Sequence, residues 1–330
     1  MTLSILDLAV QNLVSPMVLF FALGVAAALV RSDLSVPEAA AKFLALYLML
    51  AIGFKGGTEV AKSGLDASMG LTILAGIGLS FAIPVIGYTL LRLSTRLGAI
   101  DAAAVSAHYG SISIVTFVAA TEMVKGLGLA FEGYLVAVAA VMETPAIVAA
   151  LLLARRAVPK EAGSQREGMG ALLREVGTNG SIVILVGAFL IGWATGERGM
   201  DMIAPFIVDP FRGILCLFLL DMGLVAGRGL RQGGRELSPA LIAFGIYFPL
   251  VSAALAAAFA AMLGLSVGGA ALFITLAASA SYIAVPAAMR LALPEANPAI
   301  YLTLSLGVTF PFNLALGIPL YAAVAERLAG

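Results

Sequence analysis

Ten apolar stretches, most of them long enough to cross a lipid bilayer, follow one another along this chain of 330 residues. A helix needs about 20 mostly apolar residues to span the hydrocarbon core. That length places spans at 12–30, 36–54, 69–91, 100–122 and 131–154, and again at 180–195, 211–227, 238–263, 267–290 and 299–324. In lipid the backbone must satisfy its own hydrogen bonds within each segment, so such runs are helices. The chain therefore reads as an all-α membrane protein of about ten transmembrane helices. Composition agrees: 61% of residues are apolar and 12% charged, where soluble domains carry roughly 45–50% and about 25%. A formal net charge of zero offers no surface for nucleic acid. One histidine, His108, and one cysteine, Cys216, exclude a His/Cys metal cluster and an intrachain disulfide. The first residues lack the basic segment and cleavage site of a signal peptide, so insertion is expected to use the first span itself.

The polar stretch Arg155–Glu175 separates two sets of five spans. It divides the chain into a first repeat (1–154), a cytoplasmic linker (155–176) and a second repeat (177–330). With five spans in each half, the second half enters the membrane from the opposite side, the inverted-repeat plan of many secondary transporters. A short motif supports duplication: Leu50-x-x-Gly53-Phe54-x-x-Gly57 closes the second span, and Leu220-x-x-Gly223-Leu224-x-x-Gly227 closes the seventh. Lysine and arginine placement sets orientation. Arg92, Arg96, Arg155, Arg156, Lys160 and Arg166 are among the more numerous cations on the linker side. Lys55, Lys62, Lys125, Arg198, Arg212 and Arg327 lie on the other. Both termini are then outside, in a multi-pass protein of the inner (plasma) membrane.

Polar groups inside lipid are costly and are functional candidates. The fourth span carries Gly110, Ser111, Ser113 and Thr116, and the ninth carries Ser279, Ser281 and Tyr282 ahead of Pro286. The two clusters hold the same ordinal place in their halves. Each joins small hydroxyls to a residue that weakens a helix, Gly110 in one and Pro286 in the other. Free N–H groups at a helix break carry partial positive charge and suit a small anion. Glu143, Thr144, Thr309 and Asn313 lie near Pro145 and Pro311 in the fifth and tenth spans and offer oxygen ligands for a coupling cation such as sodium. His108 reads as a core histidine or as a proton-linked group, and Asp221 is placed at the end of the seventh span, outside the site.

On these residues the chain resembles the sodium-dependent bicarbonate transporter family over nearly its whole length. The resemblance rests on Ser15-Pro16, on Gly53, Gly56 and Gly57, and on Gly110-x-x-Ser113-x-x-Thr116. It also rests on Met142-Glu143-Thr144-Pro145, on Asp209-Pro210-Phe211-Arg212-Gly213, and on the stretch from Ala277 through Pro286 to Asn297-Pro298-x-x-Tyr301, with Ile318-Pro319 at the close. It implies two inverted five-helix repeats split into core and gate domains, a trimer, an elevator-like mechanism, and bicarbonate held between the fourth and ninth spans with sodium as coupling ion. Carried over, Gly110, Ser113 and Thr116 match one side of that site and Ser279 and Ser281 the other. Two positions depart from the cyanobacterial pattern: Tyr282 stands where those members have Asp, and Glu143 replaces another Asp. Their long hydrophilic insert is reduced here to the linker, so a PII-type regulatory partner is not carried over with the rest.

The expectation is a sodium-coupled symporter of bicarbonate or a similar small anion, not an enzyme and without a cofactor. The alternative is a proton-coupled or sodium-independent carrier of a small carboxylate or other anion. An intramembrane hydrolase would need His108 to pair with a serine such as Ser111 or Ser113, and neighbours three and five residues on along one helix do not form a triad alone. A membrane scaffold would need no matched helix breaks.

Overall fold

The computed structural model describes residues 10, 13–64, 67–157, 174, 180–282, 285–286, 288–289 and 293–329. The signal-peptide reading and nearly all of the linker lie outside the described residues.

Among the described residues, each predicted span contains a helix. The helices are α1 (Pro16–Leu29), α2 (Glu38–Ser63), α3 (Ala67–Ser94), α4 (Ala99–Gly110), α5 (Ile114–Gly126) and α6 (Leu135–Ala157). They continue with α7 (Gly180–Ile207), α8 (Phe211–Gly233), α9 (Pro239–Leu263), α10 (Val267–Ala278) and a last helix, α11, from Pro298 to Ala329. Counting α4 and α5 as one span, eight of these are long and apolar enough to cross a membrane, with α1 and α10 shorter. Several starts are written in local sequence. Ser15, Ser238 and Asn297 each cap a helix whose first residue is proline: their side-chain oxygens accept from Val18, Leu241 and Ala299 N–H. Proline is tolerated there because its missing N–H would have had no helical partner.

Boundaries differ from the sequence reading in three places. The sixth span is not short: α7 runs on past 195 to Ile207, through a kink at Gly196 whose φ of 57° suits glycine. The seventh extends to Gly233, which puts Asp221 near mid-helix and buries it, rather than leaving it at an end. The ninth is not continuous over 267–290, because α10 stops at Ala278.

The helices sort into two groups. In one, α1 packs along α8 and α2 along α7. In the other, α3, α4, α5, α6, α9, α10 and α11 pack together, with α3 against α6 and α4, and α10 against α9 and α11. Close approach in the first group depends on glycine. A Cβ at Gly57 would collide with the Phe189 carbonyl of α7, and one at Gly223 with the Phe21 carbonyl of α1. Small residues permit such backbone contact, the main source of helix association in lipid. The paired motifs thus do matching jobs: Gly53 and Gly57 seat α2 on α7, while Gly223 and Gly227 seat α8 on α1.

The last helix is unbroken but twice widened. Ser305–Thr309 and Asn313–Gly317 are π-helical turns on either side of Phe310–Phe312, the turn that carries Pro311. Such turns often occur at functional sites.

Candidate functional site: two crossed helix breaks

The fourth span breaks after Gly110. Ser111 is extended (φ −83°, ψ 172°), Ser113 is extended too, and α5 begins at Ile114. The ninth span breaks after Ala278, where Ser279 takes nearly the same conformation (φ −83°, ψ 166°). Ser113 caps α5 by accepting from Thr116 N–H, and Ser281 accepts from Val285 N–H. Ser111-x-Ser113 and Ser279-x-Ser281 therefore play the same two parts.

The breaks bond to each other. Ser113 N–H donates to Ser279 Oγ at 2.8 Å, and Ser281 N–H donates to the His108 carbonyl at 2.7 Å. Backbone groups freed by one break are thus satisfied by the other, as a buried unpaired backbone group would cost about 1–3 kcal/mol. Gly110 and Pro286 do not act as the sequence suggested. Gly110 is still helical, and its missing Cβ makes room for Pro84 and the Ser80 carbonyl of α3. Pro286 lies beyond the break, in a helical turn that follows it.

Around the crossing, polar side chains are tied into pairs. Ser111 Oγ donates to Glu143 Oε2 at 2.6 Å. Thr309 Oγ1 donates to the Gly245 carbonyl, so Tyr109 Oη, 2.6 Å away, donates to Thr309. Asn313 donates to the Ala278 carbonyl at the end of α10 and accepts from Tyr321 Oη. Thr144 is half-buried on α6. The structure thus places Glu143 against the first break and Asn313 against the second, with Thr309 held between α4 and α9. Among the described residues no three His, Cys, Asp or Glu side chains gather into a metal site.

Among the described residues, two buried polar side-chain atoms lack a hydrogen-bond partner: His108 Nε2 and Tyr282 Oη. His108 Nδ1 lies 2.7 Å from the Ala104 carbonyl, which can only accept, so this nitrogen carries the proton and Nε2 is left as a bare acceptor. The ring stacks on Tyr301 with centroids 4.6 Å apart. Neither ring nitrogen bonds a serine, so the pairing a serine nucleophile requires is not formed. Tyr282 packs edge-on against Phe310 and lines a cavity of about 520 Å³ between α8 and α11.

A second cavity, of about 330 Å³, lies where α2, α5, α6 and the start of α8 meet. Because α8 supplies its first residue, Phe211, to this cavity and its second half to the other, the two lie toward opposite ends of the bundle. Leu48, Met49 and Phe218 cover Ile114 and Val115 with no room for water. Of the proposed substrate residues Tyr282 lines the 520 Å³ cavity; Gly110, Ser111, Ser113, Thr116, Ser279 and Ser281 are buried.

A family profile, that of the Na+-dependent bicarbonate transporter superfamily, matches residues 16–326. The chain belongs to that superfamily. The search among curated proteins returned no match.

Membership in a bicarbonate transporter superfamily directs attention to cations that the sequence reading used only for orientation. Lys125 and Arg212 hold the buried carboxylate of Glu122 beside the 330 Å³ cavity, whose wall also carries Lys55. The signal available in sequence was Lys55 immediately after the second apolar span and Glu122-x-x-Lys125 at one-turn spacing. Neither shows which partner from another span completes the group.

Proposed function

We propose that this chain is a secondary transporter that carries bicarbonate, or a similar small anion, together with sodium. The six spans built from α3–α6 and α9–α11 would move as a core against a gate of α1, α2, α7 and α8. Packing supports an inverted repeat: first span on seventh mirrors sixth on second, third on fifth mirrors eighth on tenth, and third on fourth mirrors eighth on ninth. The two cavities obey the same relation. One joins the second span's end to the start of the fifth, the other the seventh span's end to the start of the tenth. By the excess of Lys and Arg on the linker side, the Lys55 cavity faces outward and the Tyr282 cavity the cytoplasm.

The observation that carries the reading is the pair of matched, mutually bonded breaks. At such a crossing an anion meets donors and no fixed positive charge, which keeps binding reversible. Ile114 and Val115 open α5 with helix-start N–H groups. Ser113 Oγ accepts from both the N–H and the hydroxyl of Thr116, so its own proton is available to an anion. The Ser281 and Tyr282 hydroxyls complete the donor set, while Ser279, whose own proton goes to the Leu276 carbonyl, holds Ser113 in place. Glu143, with Thr144, Thr309 and Asn313, is the proposed sodium side, where a bound cation offsets repulsion between the carboxylate and the substrate. The apolar outer faces of α1 and α7, including Leu23 and Ile191, suit lipid or a second copy of the chain in a trimer.

Uptake of labelled bicarbonate into proteoliposomes tests this. Uptake that rises at least about tenfold with an inward sodium gradient is expected. Equal uptake without sodium removes the coupling and favours the sodium-independent alternative; no bicarbonate uptake removes the substrate assignment.

A further inference from the structure

The cavity beside Lys55 is too large and too apolar for its walls to be explained by bicarbonate. Its volume is about 330 Å³, whereas one water occupies about 30 Å³, and a four-heavy-atom anion needs only a small multiple of that. Phe117, Phe131, Phe211 and Met200 form much of the lining. Small-molecule sites have this character: roughly 300 Å³ or more, mostly apolar, with a few polar groups that orient the ligand.

The polar groups here leave one cation over. Glu122, buried, accepts from Arg212 Nε at 2.7 Å and lies 3.7 Å from Lys125 Nζ. Lys62 lies 3.1 Å from Glu197 and 3.5 Å from Glu59. Among the described residues Lys55 has no carboxylate within ion-pair distance. Its ammonium instead lies 4.2 Å from the centroid of the Phe211 ring. A ring face attracts the charge, but no side-chain acceptor is paired with this ammonium, which carries three N–H donors and lines the cavity.

We propose that this cavity is a second anion site, separate from the helix crossing, for an organic monocarboxylate with an apolar body. The carboxylate meets Lys55, with Lys125 across the cavity, and the hydrocarbon or aromatic part packs on Phe117, Phe131 and Phe211. The walls come from both helix groups: α2, α7 and α8 on one side, α5 and α6 on the other. An occupant therefore wedges them in one arrangement and blocks transport. This inhibitory consequence rests on the proposed function; the binding does not.

The probe is 4-phenylbutyrate, with uncharged 4-phenylbutanol as its match in shape. In purified protein, 4-phenylbutyrate is expected to raise the thermal unfolding midpoint saturably, at concentrations at least tenfold lower than the alcohol. Lys55→Met should abolish that shift in the same detergent. In proteoliposomes the carboxylate should inhibit wild-type bicarbonate uptake and leave Lys55→Met uptake, relative to its own untreated rate, at least tenfold less sensitive. Equal binding of carboxylate and alcohol by the wild type overturns the proposal, whether or not the variant folds. Equal binding of the carboxylate by wild type and Lys55→Met overturns it also. Carboxylate binding in a protein that moves no bicarbonate leaves this site standing and removes the transport reading instead.

Discussion

The four-helix group and the six-span group meet the same solvent, lipid, by different means. Among the described residues, buried polar side chains in the four-helix group are limited to Thr58 and Asp221. All the others, from Thr72 to Asn313, belong to the six-span group. The four-helix group is held chiefly by shape: glycines let α1 reach α8 and α2 reach α7, with backbone against backbone, and each pair adds a hydrogen bond near its end, Arg231 to the Ala28 carbonyl and Tyr47 to the Phe206 carbonyl. The six-span group is held by hydrogen bonds that cross between helices, such as Ser80 to the Met142 carbonyl and Asn313 to the Ala278 carbonyl. The difference teaches where function can sit. A scaffold in lipid needs only complementary surfaces, while a site for an ion needs buried polarity, and buried polarity demands partners.

Three substitutions would break or sharpen that contrast. The largest effect is expected from Ser279→Leu, which removes the oxygen that accepts Ser113 N–H and adds bulk where Ser279 is 1% exposed. Bicarbonate uptake should fall about hundredfold or more, equivalent to roughly 2.7 kcal/mol, with folded protein still recovered. Uptake within a factor of three of wild type would remove the crossing from the mechanism. Next, Gly57→Leu should destabilise the four-helix group by about 1–3 kcal/mol through overpacking against Phe189 and Trp193. Gly213→Leu on α8, where nothing lies within 4 Å of the added carbon, is the control and should change stability by about 0.5 kcal/mol or less. Similar unfolding midpoints for the two variants would show that shape does not hold this group. The smallest effect is assigned to Asn313→Leu. It leaves the Ala278 carbonyl and Tyr321 hydroxyl unpaired, a cost of about 1–3 kcal/mol partly offset by an apolar side chain in an apolar interior. Thermal unfolding measures it, and no loss of stability would mean that the six-span group does not depend on its crossed hydrogen bonds.

Much of the fold was legible because lipid imposes a length on each helix. The ten spans follow from runs of apolar residues, and Ser15-Pro16, Ser238-Pro239 and Asn297-Pro298 mark starts by local chemistry alone. The sixth and seventh spans were drawn too short because Glu197, Arg198, Asp201 and Arg228 read as loop, although a helix can run on past its apolar part. The site was legible in type and order but not in detail. The serines of the fourth and ninth spans stood out as hydroxyls in lipid. That Ser111 would hold Glu143, that Ser113 would meet Ser279, and that Gly110 would make room for Pro84 depend on contacts across 32, 166 and 26 residues of chain.

Local composition was enough to determine that this protein lives in a membrane and which segments of it are apolar helices, because both follow from the cost of exposing a polar backbone to hydrocarbon. Only the tertiary structure decided that the two helix breaks cross and satisfy one another, and that Lys55 is left facing a phenyl ring without a carboxylate. Those outcomes depend on which helices become neighbours, and a single span carries no information about the span that will pack against it.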